Sequence, residues 1–188
     1  MALSLTGSNG LRGNLPMGGV VQSAISYSTA VGTRVFPSRN VYEEVPGLLR
    51  VELTPNQVDN VVIIKCHIAW GGWTRSTDVA ANFRIRYSND GNRTWNDFGV
   101  YAPHVVDAAG VATGTYKYNQ GNNDGSMDSD NILISGPVKS TAPHTFAVWW
   151  ACGYDTTRTL YWNRAINTGN SYNPTHTCSI QAIEIKGK

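Results

Sequence analysis

The stretch that decides the fold is HTFAVWWAC, residues His144–Cys152. A polar turn follows at 153–158, then TLYWNR at 159–164, and later CSIQAIEI at Cys178–Ile185. Aromatic and β-branched runs bounded by Gly, Asn, Asp and Pro are typical of strands joined by short turns. These segments therefore predict an antiparallel sheet in the last third of the chain.

Working outward, the same pattern recurs along the whole chain, and no window shows helical periodicity or an internal repeat of 20–50 residues. A polar segment at 119–131 is expected to be an exposed loop. Eight to ten short strands at this spacing predict an all-β antiparallel β-sandwich or jelly roll. The predicted upstream strands are 20–27, 41–45, 48–53, 61–70, 83–87, 115–118 and 132–134.

Alternation within these strands predicts which side chains face the core, because neighbouring strand residues point to opposite faces. Lys65, His67, Arg84 and Arg86 are expected to point away from the core. The same rule separates Trp149 from Trp150, one of which is expected in the core and the other at a subunit contact. The expected inward residues are Val62, Ile64, Cys66, Ile68, Trp70, Phe83, Ile85 and Tyr87.

Composition favours one domain that assembles with other protein chains. The chain has 188 residues, 15% charged residues, six Trp and nine Tyr. A surface poor in charge and rich in aromatics suits an oligomer, although a monomer with Asn, Ser and Thr outside remains open. A net charge of +2 gives no reason to expect nucleic-acid binding. No apolar run approaches the ~20 residues of a membrane span.

Residues 1–17 are predicted to form an N-terminal arm before a domain spanning 18–188. The arm is rich in Gly, Ser and Asn, and lacks the pattern of a signal peptide, so we expect folding in the cytoplasm. Flexible polar segments of this kind become ordered when they bind a partner protein. Its apolar side chains, the candidate attachment residues, are Leu3, Leu5, Leu11, Leu15 and Met17.

The order of motifs resembles the tumour-necrosis-factor-like (TNF-like) jelly-roll domains of bacteriophage fibres, head fibres and capsid decoration proteins. The resemblance runs over about 18–188 and departs from the family pattern in the loop at 119–130 and at 136–137. It is carried by GVVQ at 19–22, GLLRVELTP at 47–55, NVVII at 60–64, TFAV at 145–148, LYWNR at 160–164 and CSIQAIEI at Cys178–Ile185.

The resemblance implies a non-enzymatic virion protein that forms a homotrimer, with the arm on the virion side. A short arm without a shaft favours a capsid decoration or cement protein. The alternative is a tail- or head-fibre knob that binds a host-surface glycan. The implied partners are copies of itself and other virion proteins, such as a major capsid protein or tail and collar proteins. No cofactor, nucleic acid or membrane is implied.

Cysteines and histidines give no metal or catalytic pattern. Cys66, Cys152 and Cys178 are an odd number at no metal-like spacing. They are predicted to be buried thiols, with a Cys152–Cys178 bridge as the alternative. His67 points away from Cys66, so the two cannot pair as base and nucleophile. The other histidines, two of them beside proline, are predicted to be loop residues and not zinc ligands: His104, His144 and His176.

Three further motifs have both structural and chemical interpretations. SNDGNRTW at 88–95 nearly matches the Asp-box, Ser-x-Asp-x-Gly-x-Thr-Trp, and a single copy indicates a hairpin turn. Oxygen-bearing side chains in the polar loop could hold a hard cation such as calcium, although a solvated loop is favoured. The loop residues are Asn122, Asp124, Asp128 and Asp130, and carboxylates considered for a small hydrolase are Asp107, Asp155 and Glu184.

Trp70 and Trp73 flank two glycines at the end of a predicted strand. Exposed aromatic rings there could stack on sugars, which would make the chain a carbohydrate-binding module. Packing at the end of the sandwich or in a trimer interface is the favoured interpretation. Both residues stay candidate glycan contacts at this stage.

Overall fold

A computed structural model describes residues 19–39, 41–73, 79–99, 113–117, 127–153, 157–164 and 176–187. The predicted arm, residues 1–17, lies outside the described residues. Within them there is no helix, and so no helix that could cross a membrane. The strands are β1 (Val20–Ser28), β2 (Gly32–Phe36), β3 (Glu43–Glu44), β4 (Arg50–Leu53), β5 (Val61–Trp73), β6 (Val79–Ser88), β7 (Asn96–Asp97), β8 (Thr113–Lys117), β9 (Met127–Pro137), β10 (His144–Cys152), β11 (Arg158–Trp162) and β12 (Cys178–Ile185).

These strands form two antiparallel sheets, which confirms the all-β class. The first sheet has the order β1-β12-β5-β11-β2, with β9 on the other edge of β5. β5 is long enough to pair with β12 along its first half and with β11 along its second. The second sheet has the order β3-β10-β6-β7, with β4 also on β10 and β8 also on β6. One core lies between the sheets, as in a β-sandwich.

The alternation predicted for the long strands is confirmed. Phe83 and Ile85 are buried, Tyr87 packs against the core from a partly buried position, and Lys65 is exposed. Burial of such side chains contributes about 25 cal/mol per Å² of apolar surface. The inward side of β5 is fully buried: Val62, Ile64, Cys66, Ile68 and Trp70.

Two parts of the strand prediction were wrong. β2 was not predicted, because only Phe36 of its five residues is buried and its side chains show no alternation. It is a strand because its backbone pairs with β11. The expected loop at 119–131 was wrong over Met127–Asn131, where β9 runs alongside β5. Polar residues can belong to that strand because its backbone groups form hydrogen bonds with β5 whatever side chains the strand carries.

The cysteines are free and buried, as predicted, and the alternative Cys152–Cys178 bridge is wrong. Burial raises the pKa of the Cys66 thiol far above its usual range, with the neighbouring Cys178 adding to the effect. Burial also raises the pKa of Cys178, whose sulfur accepts a hydrogen bond from the Ala69 amide at 3.4 Å. Such thiols pack as small apolar groups and are poor nucleophiles.

Glu184 closes one end of the core and is fully buried. Its carboxylate accepts hydrogen bonds from the Asn60 side chain at 2.7 Å, the Asn56 backbone amide at 2.9 Å and the Gln22 side chain at 2.6 Å. Gln22 belongs to β1, and the asparagines lie in the turn between β4 and β5. One carboxylate therefore ties β12, β1 and that turn together.

Candidate interaction surfaces

The first candidate surface is the outer side of four strands in the first sheet, β1, β12, β5 and β9. The strand register places four rows of residues across it. We call this surface the outer face. Its rows are Ile185–Val61–Pro137, Ser23–Ile183–Ile63–Ser135, Ile25–Gln181–Lys65–Leu133 and Tyr27–Ser179–His67–Asn131.

The outer face carries large apolar groups and almost no charge. Leu133 is 74% exposed and Tyr27 is 60% exposed. Among the described residues in these rows, Lys65 is the only charged side chain and His67 the only imidazole. Apolar side chains interleaved with small polar ones, with charge depleted, are typical of surfaces buried in protein assemblies.

Two side-chain hydrogen bonds cross the strands of the outer face. Gln181 donates to the Ser23 hydroxyl at 3.0 Å, and Nδ1 of His67 lies 3.2 Å from the Asn131 Oδ1. Because a carbonyl oxygen only accepts, Nδ1 must donate the proton in this pair. The Nε2 atom of neutral His67 is then an unprotonated acceptor.

A second surface covers the outer side of the second sheet, and we call it the arginine–aromatic layer. Each of its guanidinium groups lies over a ring: Arg84 is 4.0 Å from the centroid of Tyr42, Arg86 4.7 Å from Trp149, and Arg50 5.2 Å from Trp95. The rings of Trp95 and Trp149 are 5.9 Å apart. The layer consists of Tyr42, Arg50, Arg84, Arg86, Trp95 and Trp149.

Two carboxylates pair with the arginines of this layer. Glu44 accepts two hydrogen bonds from Arg50, at 2.5 and 2.6 Å, and Asp97 contacts both Arg84 and Arg86. Ala147 lies between Arg50 and Arg86 in the strand register and is fully buried although it faces away from the core. The layer therefore shields the outer side of the sheet, and each of its three arginines pairs with one of these two carboxylates.

The Asp-box segment is a structural turn, as predicted. The Asp90 carboxylate accepts hydrogen bonds from the Thr94 hydroxyl at 2.5 Å and from the Arg93 and Thr94 amides at 3.0 Å. These bonds, chiefly those from Thr94, lower the pKa of Asp90. Gly91 and Asn92 have φ angles of 75° and 68°, values that favour these residue types. The turn leads directly into Trp95 of the arginine–aromatic layer.

His144 is not in a loop, so that prediction was wrong. It begins β10, is 3% exposed and stacks on both Tyr87 and Phe146, which also contact each other. Its Nδ1 donates to the Ala142 carbonyl at 2.6 Å. It lines a cleft of about 80 Å³ beside Lys139 and Ser140, which is below the size of an ordinary ligand pocket.

Of the remaining candidate residues, some are buried and the others lie outside the residues that the structure describes. Trp70 is 0% exposed, with its ring 6.2 Å from that of Phe83, so it packs in the core as the favoured interpretation had it, and the alternative of a glycan contact is wrong for it. Trp73 ends β5, but its side chain lies outside the described residues. Also outside them are the attachment residues Leu3, Leu5, Leu11, Leu15 and Met17, together with His104, Asp107, Asn122, Asp124 and Asp155.

The structure brings together neither a metal site nor paired catalytic acids in the part of the chain that it describes. No group of three His, Cys, Asp or Glu side chains converges there. Asp128 and Asp130, predicted as loop ligands, lie in β9. Glu184 is enclosed by amide donors, so it has no room for a substrate.

Sequence reasoning missed both the outer face and the arginine–aromatic layer as units. Alternation within one strand gives each residue's side of the sheet, but only the register between strands far apart in sequence assembles a surface.

Comparison with known proteins found no family model and no curated protein that matches this chain. The two surfaces are thus the features from which a function can be argued.

Proposed function

We propose that this chain is a non-enzymatic structural protein of a bacteriophage particle. In this proposal it is a TNF-like jelly roll that assembles as a homotrimer and decorates or cements the capsid. The role of a fibre knob that binds host glycan is the alternative. The resemblance of its motifs to phage jelly-roll domains supplies the virion context.

The observation that carries the proposal is the outer face. It spans four strands, exposes Leu133 and Tyr27, and has Lys65 as its one charged group among the described residues. A monomer gains nothing by leaving such a face in water, whereas self-association removes its apolar surface without burying carboxylates. Copies of this chain are the occupants that we propose, because around a threefold axis each copy can turn this face toward its neighbours.

The strand order supports the jelly-roll part of the proposal. Four strands of the first sheet run in the order β1-β12-β5-β9, and four of the second in the order β4-β10-β6-β8. Along the chain the strands pass repeatedly from one sheet to the other. Eight strands connected in this way are what a jelly roll requires.

The homotrimer is tested with the variant Leu133→Arg. This side chain is 74% exposed, so the substitution leaves the core intact and adds a cation to a face that already carries Lys65. We expect a trimer for the natural chain at micromolar concentration and a monomer for the variant, with a dissociation constant raised about 100-fold or more. Light scattering coupled to size exclusion measures the mass.

The matched control for that variant is Val58→Arg. Val58 is 51% exposed in the turn between β4 and β5 and belongs to none of the rows of the outer face, and the control should stay trimeric. A monomeric natural chain would refute self-association. An unaffected Leu133→Arg trimer would mean that copies meet through another surface.

Attachment to the particle is tested by deleting residues 1–17. We expect the shortened chain to remain trimeric but to lose most of its binding to capsids of the source phage prepared without this protein. Arg12 is the arm's only charged side chain, so attachment of the full chain should persist at high salt. Cosedimentation with the capsids measures binding. If the shortened trimer binds equally well, the jelly-roll domain itself makes the contact.

A further inference from the structure

The charges of the outer face all have one sign. Lys65 is a cation, His67 is the one imidazole, and no carboxylate lies in the same rows among the described residues. The other groups around His67 are Asn131 on β9, Ser179 on β12 and, one strand further, Tyr27 on β1. Lys65 and His67 are therefore the two basic groups in these rows among the described residues.

Lys65 and His67 are two residues apart on one strand and therefore share a side of the sheet, about 6–7 Å apart. Protonating the imidazole places a second positive charge beside the first. Nδ1 already donates to Asn131, so the added proton goes to Nε2, the free acceptor. Nothing described on the face compensates that charge.

We propose that self-association through the outer face is proton-linked, with His67 as the titrating group, so that mild acid dissociates the assembly. This inference rests on the proposed self-association. When three copies turn the outer face toward a common threefold axis, each brings the same cations into a region that excludes water. Burial and like charge then both oppose the protonated imidazole. Histidine changes charge between pH 5 and 8, which sets the range of the effect.

The test uses the full chain, with sedimentation velocity at pH 8.0 and at pH 5.5 in the same salt. We expect a stable oligomer at pH 8.0 and a dissociation constant at least about tenfold higher at pH 5.5. His67→Gln should keep nearly the same dissociation constant at both pH values, because glutamine retains a donor for Asn131 and cannot gain charge. Lys65→Gln should bind more tightly than the natural chain at pH 5.5.

His176→Gln is the matched control, because His176 is exposed and lies before β12, off the outer face. It should dissociate in acid like the natural chain. Far-ultraviolet circular dichroism of each sample checks that the fold persists at pH 5.5. An unchanged natural oligomer at pH 5.5 would overturn the proton linkage alone, as would acid dissociation of His67→Gln to the natural extent. A natural chain that is monomeric at pH 8.0 would instead refute the self-association itself.

Discussion

Replacing Trp150 by alanine is expected to lower the free energy of unfolding by about 3–5 kcal/mol, enough to prevent stable folding of a domain of ordinary stability. Trp150 is 0% exposed, and its ring meets Phe36 at 5.5 Å and Trp162 at 5.8 Å, both edge to face. The substitution leaves a large cavity between the two sheets. Urea denaturation followed by circular dichroism measures the loss.

Two comparison variants separate ring packing from the strand assignment. The buried indole N–H of Trp150 has no hydrogen-bond acceptor among the described residues, so Trp150→Phe breaks no hydrogen bond there. Phenylalanine also keeps a six-membered aromatic ring in the core, and the variant should cost only about 1–2 kcal/mol. Trp149→Ala removes contacts with Trp95 and Arg86 on the outer side and should cost less than Trp150→Ala. Equal losses at positions 149 and 150 would contradict the opposite orientation of these neighbours. Whether Trp149 also meets another subunit stays a prediction.

Replacing Glu184 by alanine is expected to destabilise the fold by about 2–4 kcal/mol. The substitution leaves the side-chain donor of Asn60, which is 4% exposed, and the backbone amide of Asn56 without their acceptor, whereas Gln22 keeps the Thr54 carbonyl. Each buried donor left unpaired costs about 1–3 kcal/mol, and water entering from the end of the sandwich recovers part of that loss. Thermal and urea denaturation measure the difference.

Glu184→Gln and Glu52→Ala are the controls for the Glu184 experiment. Glutamine has the same shape, but its NH₂ group replaces one of the two oxygens and so faces either Asn60 or Gln22, and the variant should fall between the natural chain and alanine. Glu52 is exposed on β4, and its replacement should change stability by less than about 0.5 kcal/mol. A Glu184→Ala variant as stable as the natural chain would show that the carboxylate does not hold this end of the sandwich.

The sequence was sufficient where a strand is amphipathic or entirely apolar. The bounds of β10 and β12 were predicted correctly, and alternation gave the buried side of β5. It was insufficient for β2, which buries one residue in five, and for the polar start of β9. Those segments are strands because a neighbouring strand pairs with their backbone. Side-chain patterns do not record such pairing.

The candidate sites depended still more on tertiary structure. Alternation placed Trp70 on the inward side of β5, although its position beside two glycines also left it as a sugar contact; His144 was predicted to be a loop residue, and both are buried. The same holds for Glu184, whose donors come from positions more than 100 residues away in the chain. Whether a side chain is buried depends on which distant segments of the chain pack against it, and the local sequence does not contain that information.

The sequence alone is enough for the all-β class, the sides of the strongest strands and the Asp-box turn, because each follows from residues close in the chain, whereas it left a Cys152–Cys178 bridge open. The tertiary structure alone decided which strands are neighbours and in what register. That register collects Lys65, His67, Leu133 and Tyr27 on one face, and it places three arginines over three rings on the other sheet. Surfaces of this kind arise from long-range backbone pairing, which fixes the position of side chains that no local pattern connects.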